Sequence, residues 1–176
     1  MGSSPGRAAV VRPGTSGRAG NVRRRAAWVA ATLIVVVILL RALLIAPMTV
    51  DGDSMEPTFR DGDVALVVKQ LWAAPDVERG DILVFRDPDG ALSLKRVIGL
   101  PGDSVAILDA ILEVDGRVVP ENYVDHSRID GLYFGPVTVP AGAVFLMGDN
   151  RADSVDSRHY GPVQFTRIVG RVVANL

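Results

Sequence analysis

Hydrophobic residues follow two different patterns along this chain. From Ala26 to Ile45 the sequence AAWVAATLIVVVILLRALLI carries one charge in 20 residues. An α-helix of that length measures about 30 Å, the thickness of a bilayer's hydrocarbon core. The pattern predicts a single membrane-spanning helix over residues 26–46. Pro47 ends it, and Arg41 sits near enough to the outer end for its aliphatic stem to carry the guanidinium to the headgroups. Beyond Pro47 the apolar residues come in short runs separated by Gly, Asp and Pro: Val64–Val68, Ile82–Phe85, Leu92–Ile98, Val105–Leu108, Leu112–Val114, Arg117–Val119, Val144–Met147 and Ile168–Val173. These read as strands. Asp115-Gly116 between two of them is a hairpin signal, since both residues tolerate the positive φ of a two-residue turn, and Pro88-Asp89-Gly90 signals another turn. Residues 48–176 show no extended helical period and predict an all-β or nearly all-β domain. Residues 1–25, rich in Gly, Ser, Pro, Ala and Arg, show neither period and read as a disordered basic arm.

Charge sharpens this division. Of the 19 Lys and Arg residues, seven arginines lie in residues 1–50 with no acid among them, so 12 bases face all 20 acids in residues 51–176. Six of those arginines precede the apolar run, which by the positive-inside rule places the N-terminus in the cytoplasm and residues 48–176 outside. Two other readings compete. A buried helix would need a large apolar domain around it, and the remaining chain is not helical. A cleaved secretory signal would need small residues soon after the apolar stretch, whereas Arg41, Leu44-Ile45-Ala46 and Pro47 follow, which favours an uncleaved anchor. The chain has 176 residues and no cysteine, so disulfide scaffolds, thiolate zinc sites and cysteine nucleophiles are excluded.

Few residues after the anchor can do acid–base or covalent work. His126 and His159 lie in polar stretches typical of solvated loops, and no His or carboxylate cluster has metal-ligand spacing. Ser54, in Asp51-Gly52-Asp53-Ser54-Met55-Glu56-Pro57-Thr58, occupies a turn before a strand; alone it reads as an ordinary Asx or Ser turn. Lys95 lies in the strand Ser93-Leu94-Lys95-Arg96-Val97-Ile98. Alternation puts Leu94, Arg96 and Ile98 on one face and Ser93, Lys95 and Val97 on the other, without saying which is covered. An exposed Lys95 would be an ordinary solvated lysine. A buried one would have its pKa lowered far below ~10.4 and could take a proton from Ser54. The third element, Gly148 to Arg158, is a dense run of hydrogen-bonding groups after the apolar strand Val144–Met147; its bland reading is a solvated loop of compensating charges.

In this order, Ser54-Met55-Glu56-Pro57-Thr58, Arg79-Gly80-Asp81-Ile82-Leu83-Val84-Phe85, Lys95 to Asp103 and Gly148 to Arg158 resemble the four conserved boxes of the bacterial type I signal peptidases. That resemblance implies a mainly β catalytic domain behind a single N-terminal membrane helix, acting on signal-peptide-bearing preproteins at the outer face of the cell membrane. It implies Ser54 as nucleophile, Lys95 as general base and Ser154 as the hydroxyl orienting the lysine amine. Asp149, Asp156 and Arg158 take structural roles, with Arg96 in their ion-pair network. One position departs from the pattern. Some members carry a serine two residues before the nucleophile that helps form the oxyanion hole, and here that residue is Gly52. The Ser54 N–H then acts alone or with another donor, such as the Gly52 N–H or a water. No metal or organic cofactor is expected, the partners are preprotein and lipid bilayer, and the protein is expected to be monomeric. Two rival readings are a non-catalytic anchored β-module that binds an extracytoplasmic partner, and a self-cleaving regulator. The second would bring a DNA-binding domain, for which residues 1–25 are too short, so no nucleic acid is expected.

Overall fold

The computed structural model describes Gly2 and residues 16–69, 76–129 and 132–176; for residues 16–22, 39–43 and 128 the backbone alone is described. The chain divides into two compact units at Leu43/Leu44. The first is dominated by α1 (Ser16–Leu44). It starts upstream of Ala26, because Ser16 to Arg25 contains no proline to stop a helix and Arg and Ala favour one. The rest of the basic arm, residues 3–15, lies outside the described residues, as does the Arg41 side chain. From Arg23 to Ile38 the described side chains are exposed, among them Trp28, Leu33, Ile34 and Ile38. Among the described residues no helix is long and apolar enough to cross a membrane.

The helix stops at Leu44, two residues earlier than the apolar run suggested, because Ile45–Thr49 is a strand, β1. Pro47 has no N–H to donate and disfavours helical geometry at Ala46, while β2 (Val64–Lys69) offers an edge on which the stretch pairs from Ile45↔Val68 to Thr49↔Val64. A proline is tolerated there because β1 is the outermost strand of its sheet.

The mainly β expectation holds for the second unit. The remaining strands are β3 (Ile82–Arg86), β4 (Leu92–Gly99), β5 (Ser104–Leu108), β6 (Ile111–Val114), β7 (Arg117–Val118), β8 (Phe134–Thr138), β9 (Ala143–Met147), β10 (Val163–Gln164) and β11 (Ile168–Asn175). Among the described residues they form two antiparallel sheets, one ordered β1-β2-β11-β3-β4-β9-β10 and the other β7-β6-β5-β8. The Asp115-Gly116 turn has φ of 53° and 70°, as a two-residue hairpin requires. Strands β8 and β10 escape sequence reading. Gly135-Pro136 interrupts the first, which survives as an edge strand, and the second has only two residues. A one-turn helix, α2 (Ser157–Tyr160), lies within the polar run after β9.

Alternation along β4 distributes its side chains between apolar clusters. Leu94 packs with Val50, Met55, Phe59 and Val84, while Val97 packs with Leu83, Phe85 and Leu146. Past a register shift between Val97 and Gly99, Ile98 joins Phe145 and Met147 of β9 and Val105, Ile107, Leu112 and Val114 of the second sheet. Both faces of β4 are therefore covered, and Lys95, in register with Leu83 of β3, is buried.

Phe145 contributes to the cluster shared by the two sheets and lies 5.4 Å from the Phe134 ring. Phe145→Ala is expected to destabilise the domain by about 3–5 kcal/mol in urea unfolding. A loss below about 1 kcal/mol would mean the sheets do not depend on this core.

Candidate active site

Ser54 is held in a tight turn immediately after β1. Met55 and Phe59, both nearly fully buried, anchor the turn from below. Above it, Asn150 grips the backbone on both sides of the serine: its N–H donates to Ser54 O at 3.1 Å and its side-chain amide to Asp53 O at 3.2 Å. The Thr58 hydroxyl donates to Asp149 Oδ2 at 2.6 Å. The Ser54 segment is thus fastened to residues about a hundred positions later in the chain.

Lys95 Nζ lies 2.7 Å from Ser54 Oγ. Lys95 is 5% exposed. Burial lowers its pKa, with help from the Arg158 cation, against the opposing pull of Asp156, Asp87 and Asp149. What limits that pull is that each carboxylate is already occupied. Asp156 receives Arg158 Nε and Nη2, both at 2.8 Å, the Arg158 N–H and the Gly148 N–H at 3.0 Å. Burial disfavours its charge, yet the Arg158 guanidinium and these N–H groups hold the carboxyl below its usual range. Asp149 receives Arg96 Nε at 2.8 Å and Nη2 at 2.6 Å. Asp87 accepts from the Asp89 and Ala91 N–H groups and from Ser93 Oγ. The lysine has carboxylates nearby but no ion-pair partner among the described residues.

The other expected residues divide. Arg96 pairs with Asp149 and Arg158 with Asp156, two separate ion pairs. Ser154 is buried close by, yet among the described residues its Oγ has no hydrogen-bond partner, Lys95 included. It rests instead against Gly148, where an added Cβ would lie 2.2 Å from Ser154 Oγ and 2.4 Å from Ser54 O. Gly52 does not supply a free oxyanion donor either, because its N–H donates to Asp61 Oδ1 at 2.8 Å. His126 is exposed. His159 caps α2, its Nδ1 accepting the Asp156 N–H at 3.3 Å, and its ring lines an open cleft of about 530 Å³ with Ser54, Lys95, Ser93, Asp87 and Tyr160.

Sequence reasoning passed over Thr58, Asn150, Gly148, Glu121 and Tyr123. Glu121 forms a buried ion pair with Arg151, and the Tyr123 ring lies under the Arg96 guanidinium, 4.0 Å from its carbon. No local signal marks the roles of these residues, because each depends on partners that folding brings to it. A buried amine at hydrogen-bond distance from a hydroxyl, in a cleft open to a substrate, can activate that hydroxyl as a nucleophile.

Residues 23–176 match the family described as Signal peptidase, peptidase S26. Signal peptidase I of Bacillus licheniformis is 40% identical over 155 residues, covering 81% of this chain and 83% of its own. Signal peptidase I V of Bacillus subtilis is 37% identical over 149 residues, covering 78% of this chain and 89% of its own. The crystal structure of a signal peptidase I from Enterococcus faecalis V583 superposes with a TM-score of 0.50 at 31% identity, over 57% of this chain and 98% of that one.

Since the lowered pKa of Lys95 leaves more neutral amine at a given pH, peptidase activity is expected to rise with pH through an apparent pKa below the ordinary lysine value. Stability should rise over the same interval, because the unfolded chain there holds a proton that the folded chain lacks. Lys95→Arg keeps a cation that does not deprotonate and should abolish turnover as fully as Ala, while Lys69→Arg, on an exposed residue, should be silent; pH–rate profiles of both variants check this. Gly148→Ala must displace either Ser154 or the Ser54 carbonyl, and kcat should fall by about 10²-fold in steady-state assays.

Proposed function

The chain belongs to the signal peptidase family, peptidase S26, serine hydrolases that cleave signal peptides from preproteins, and from that membership we propose that Ser54 and Lys95 form its catalytic dyad in a membrane-anchored endopeptidase. The 2.7 Å contact between Lys95 Nζ and Ser54 Oγ, with the amine buried, carries this reading. The neutral amine takes the Ser54 proton as Oγ attacks the carbonyl carbon of the scissile bond. The resulting ammonium returns that proton to the leaving amide nitrogen as the bond breaks. An ester remains on Ser54; the amine, neutral again, takes a proton from the water that attacks the ester carbon and returns it to Ser54 Oγ as the acyl bond breaks. Lys95 thus serves as base and acid in each half of the cycle without a histidine. Arg96, Asp149, Asp156 and Arg158 hold the dyad's surroundings.

Ser154 enters this scheme as the hydroxyl that orients the lysine amine. Its buried Oγ has no partner among the described residues, and a hydrogen bond to Nζ would satisfy it. The oxyanion is stabilised by the Ser54 N–H together with a water, the Gly52 N–H being committed to Asp61. The preprotein presents its cleavage point extended in the cleft, with small side chains at alternate positions facing shallow pockets. The dyad comes entirely from one chain, which suits action as a monomer.

In the same reading, residues 26–46 anchor the enzyme in the cell membrane, residues 1–25 lie in the cytoplasm and residues 48–176 lie outside. Support comes from the apolar run and the six preceding arginines, and from the exposed apolar side chains between Trp28 and Ile38, which find no protein surface to cover them among the described residues. Anchoring places enzyme and substrate in one thin layer and raises their effective concentration.

Ser54→Ala should remove cleavage of a preprotein while leaving the protein folded and membrane-bound; activity within about tenfold of the parent would overturn the nucleophile assignment. In intact cells, the N-terminus should be retained and added protease should reach residues 48–176 only from outside. A mature chain beginning near Asp51 would overturn the anchor.

A further inference from the structure

Glu121 is a carboxylate for which the proton transfers have no use, and the fold has buried it almost completely: 1% of its side chain is exposed, as is 1% of that of its partner Arg151. It lies in the stretch that follows β7, outside both sheets. Its two oxygens face the two terminal nitrogens of Arg151, with Nη1 donating to Oε2 at 2.7 Å and Nη2 donating to Oε1. The Tyr123 hydroxyl adds a third donor, to Oε1 at 3.0 Å. A buried ion pair of this kind is a weak source of stability compared with well-packed apolar residues. Its distinctive property is directional, since a guanidinium is a rigid planar fork. Once Glu121 has engaged both ends of that fork, the remaining Nε–H has one direction left.

That direction leads to the site. Arg151 Nε donates to Gly148 O at 3.0 Å, while the Gly148 N–H is held by Asp156. Both peptide groups flanking Gly148 are thereby pinned, and Gly148 is the residue with no room for a side chain between Ser154 Oγ and Ser54 O. A second path leaves from Tyr123, whose ring underlies Arg96, the partner of Asp149. Asp149 in turn accepts the Thr58 hydroxyl from the nucleophile turn. Two chains of contact from one buried acid reach the two backbone segments between which the dyad is assembled.

We infer that Glu121 is a positioning residue for the Ser54–Lys95 dyad, acting through Arg151 on the Gly148 carbonyl and through Tyr123 on Arg96. The inference rests on the dyad proposed above. Without Glu121, Arg151 becomes a buried cation lacking its counter-charge, and its fork turns away from Gly148.

The test measures kcat, KM and Tm on the full-length protein in detergent micelles with a model preprotein. Glu121→Gln should lower kcat by at least about tenfold with KM changed less than about threefold. The double variant Glu121→Met with Arg151→Met removes both charges and restores apolar packing. It should recover Tm while kcat stays at least about tenfold low, since no donor reaches Gly148 O. A purely structural ion pair would instead return both together, and that result overturns the inference. Arg151→Lys covers the case in which the other variants do not fold: it can pair with Glu121 but lacks the Nε–H, and kcat within about twofold of the parent would likewise overturn it. Ser54→Ala in the same assay separates the two readings. Activity retained there removes the dyad, whereas an inactive Ser54→Ala beside a fully active Glu121→Gln removes the positioning role alone.

Discussion

The exclusion of water and counter-charge from the Lys95 amine is the constraint on which the site depends. A lysine within a β-sheet is ordinarily solvated or paired with an acid, and either arrangement keeps it charged and useless as a base. Here Leu83 lies opposite it in register and the residue is nearly fully buried. Three carboxylates stand near enough to favour its ammonium form. Each has been given to other donors: Asp156 to Arg158, Asp149 to Arg96, and Asp87 to Ser93 and two backbone amides. The arginines therefore do more than brace the loop. By occupying Asp149 and Asp156, they leave desolvation as the largest influence on Lys95.

Geometry near Ser54 is set by the same residues. Asp156 serves as partner to Arg158, N-cap of α2 and acceptor for the Gly148 N–H. One side chain thus ties the strand-exit backbone of β9 to the following helix. Asn150 ties that exit to the backbone around Ser54. Buried polar groups are expensive unless every donor and acceptor finds a partner, and nearly all in this network do. Ser154 Oγ is the exception in this network among the described residues.

The wider fold supplies the platform. Strand β4 is central because it is paired on both edges and packed on both faces, so a charged side chain on it has nowhere to escape. Its register shifts between Val97 and Gly99, and Ile98 joins the cluster shared with the second sheet. Glu121 and Tyr123, in the stretch after β7 and outside both sheets, meet Arg151 and Arg96.

Much of this was legible in the amino-acid order. Short apolar runs with turn residues between them specify strands locally, and eight of those runs coincide with β2, β3, β4, β5, β6, β7, β9 and β11. The Asp115-Gly116 turn depends only on what backbone angles its two residues accept. Ser54, Lys95 and the polar run after Met147 stood out because their composition is unusual for their places in the chain. Other features were decided by tertiary structure. Alternation along β4 could not say whether Lys95 faced water, because burial depends on what packs above a strand and not on the strand itself. Ile45–Thr49 became a strand because β2 offered an edge, which no local propensity encodes. Gly148, Asn150 and Glu121 carried no mark of their role, since close approach, hydrogen bonding and charge pairing between residues 30 to 97 positions apart exist only once the chain has folded.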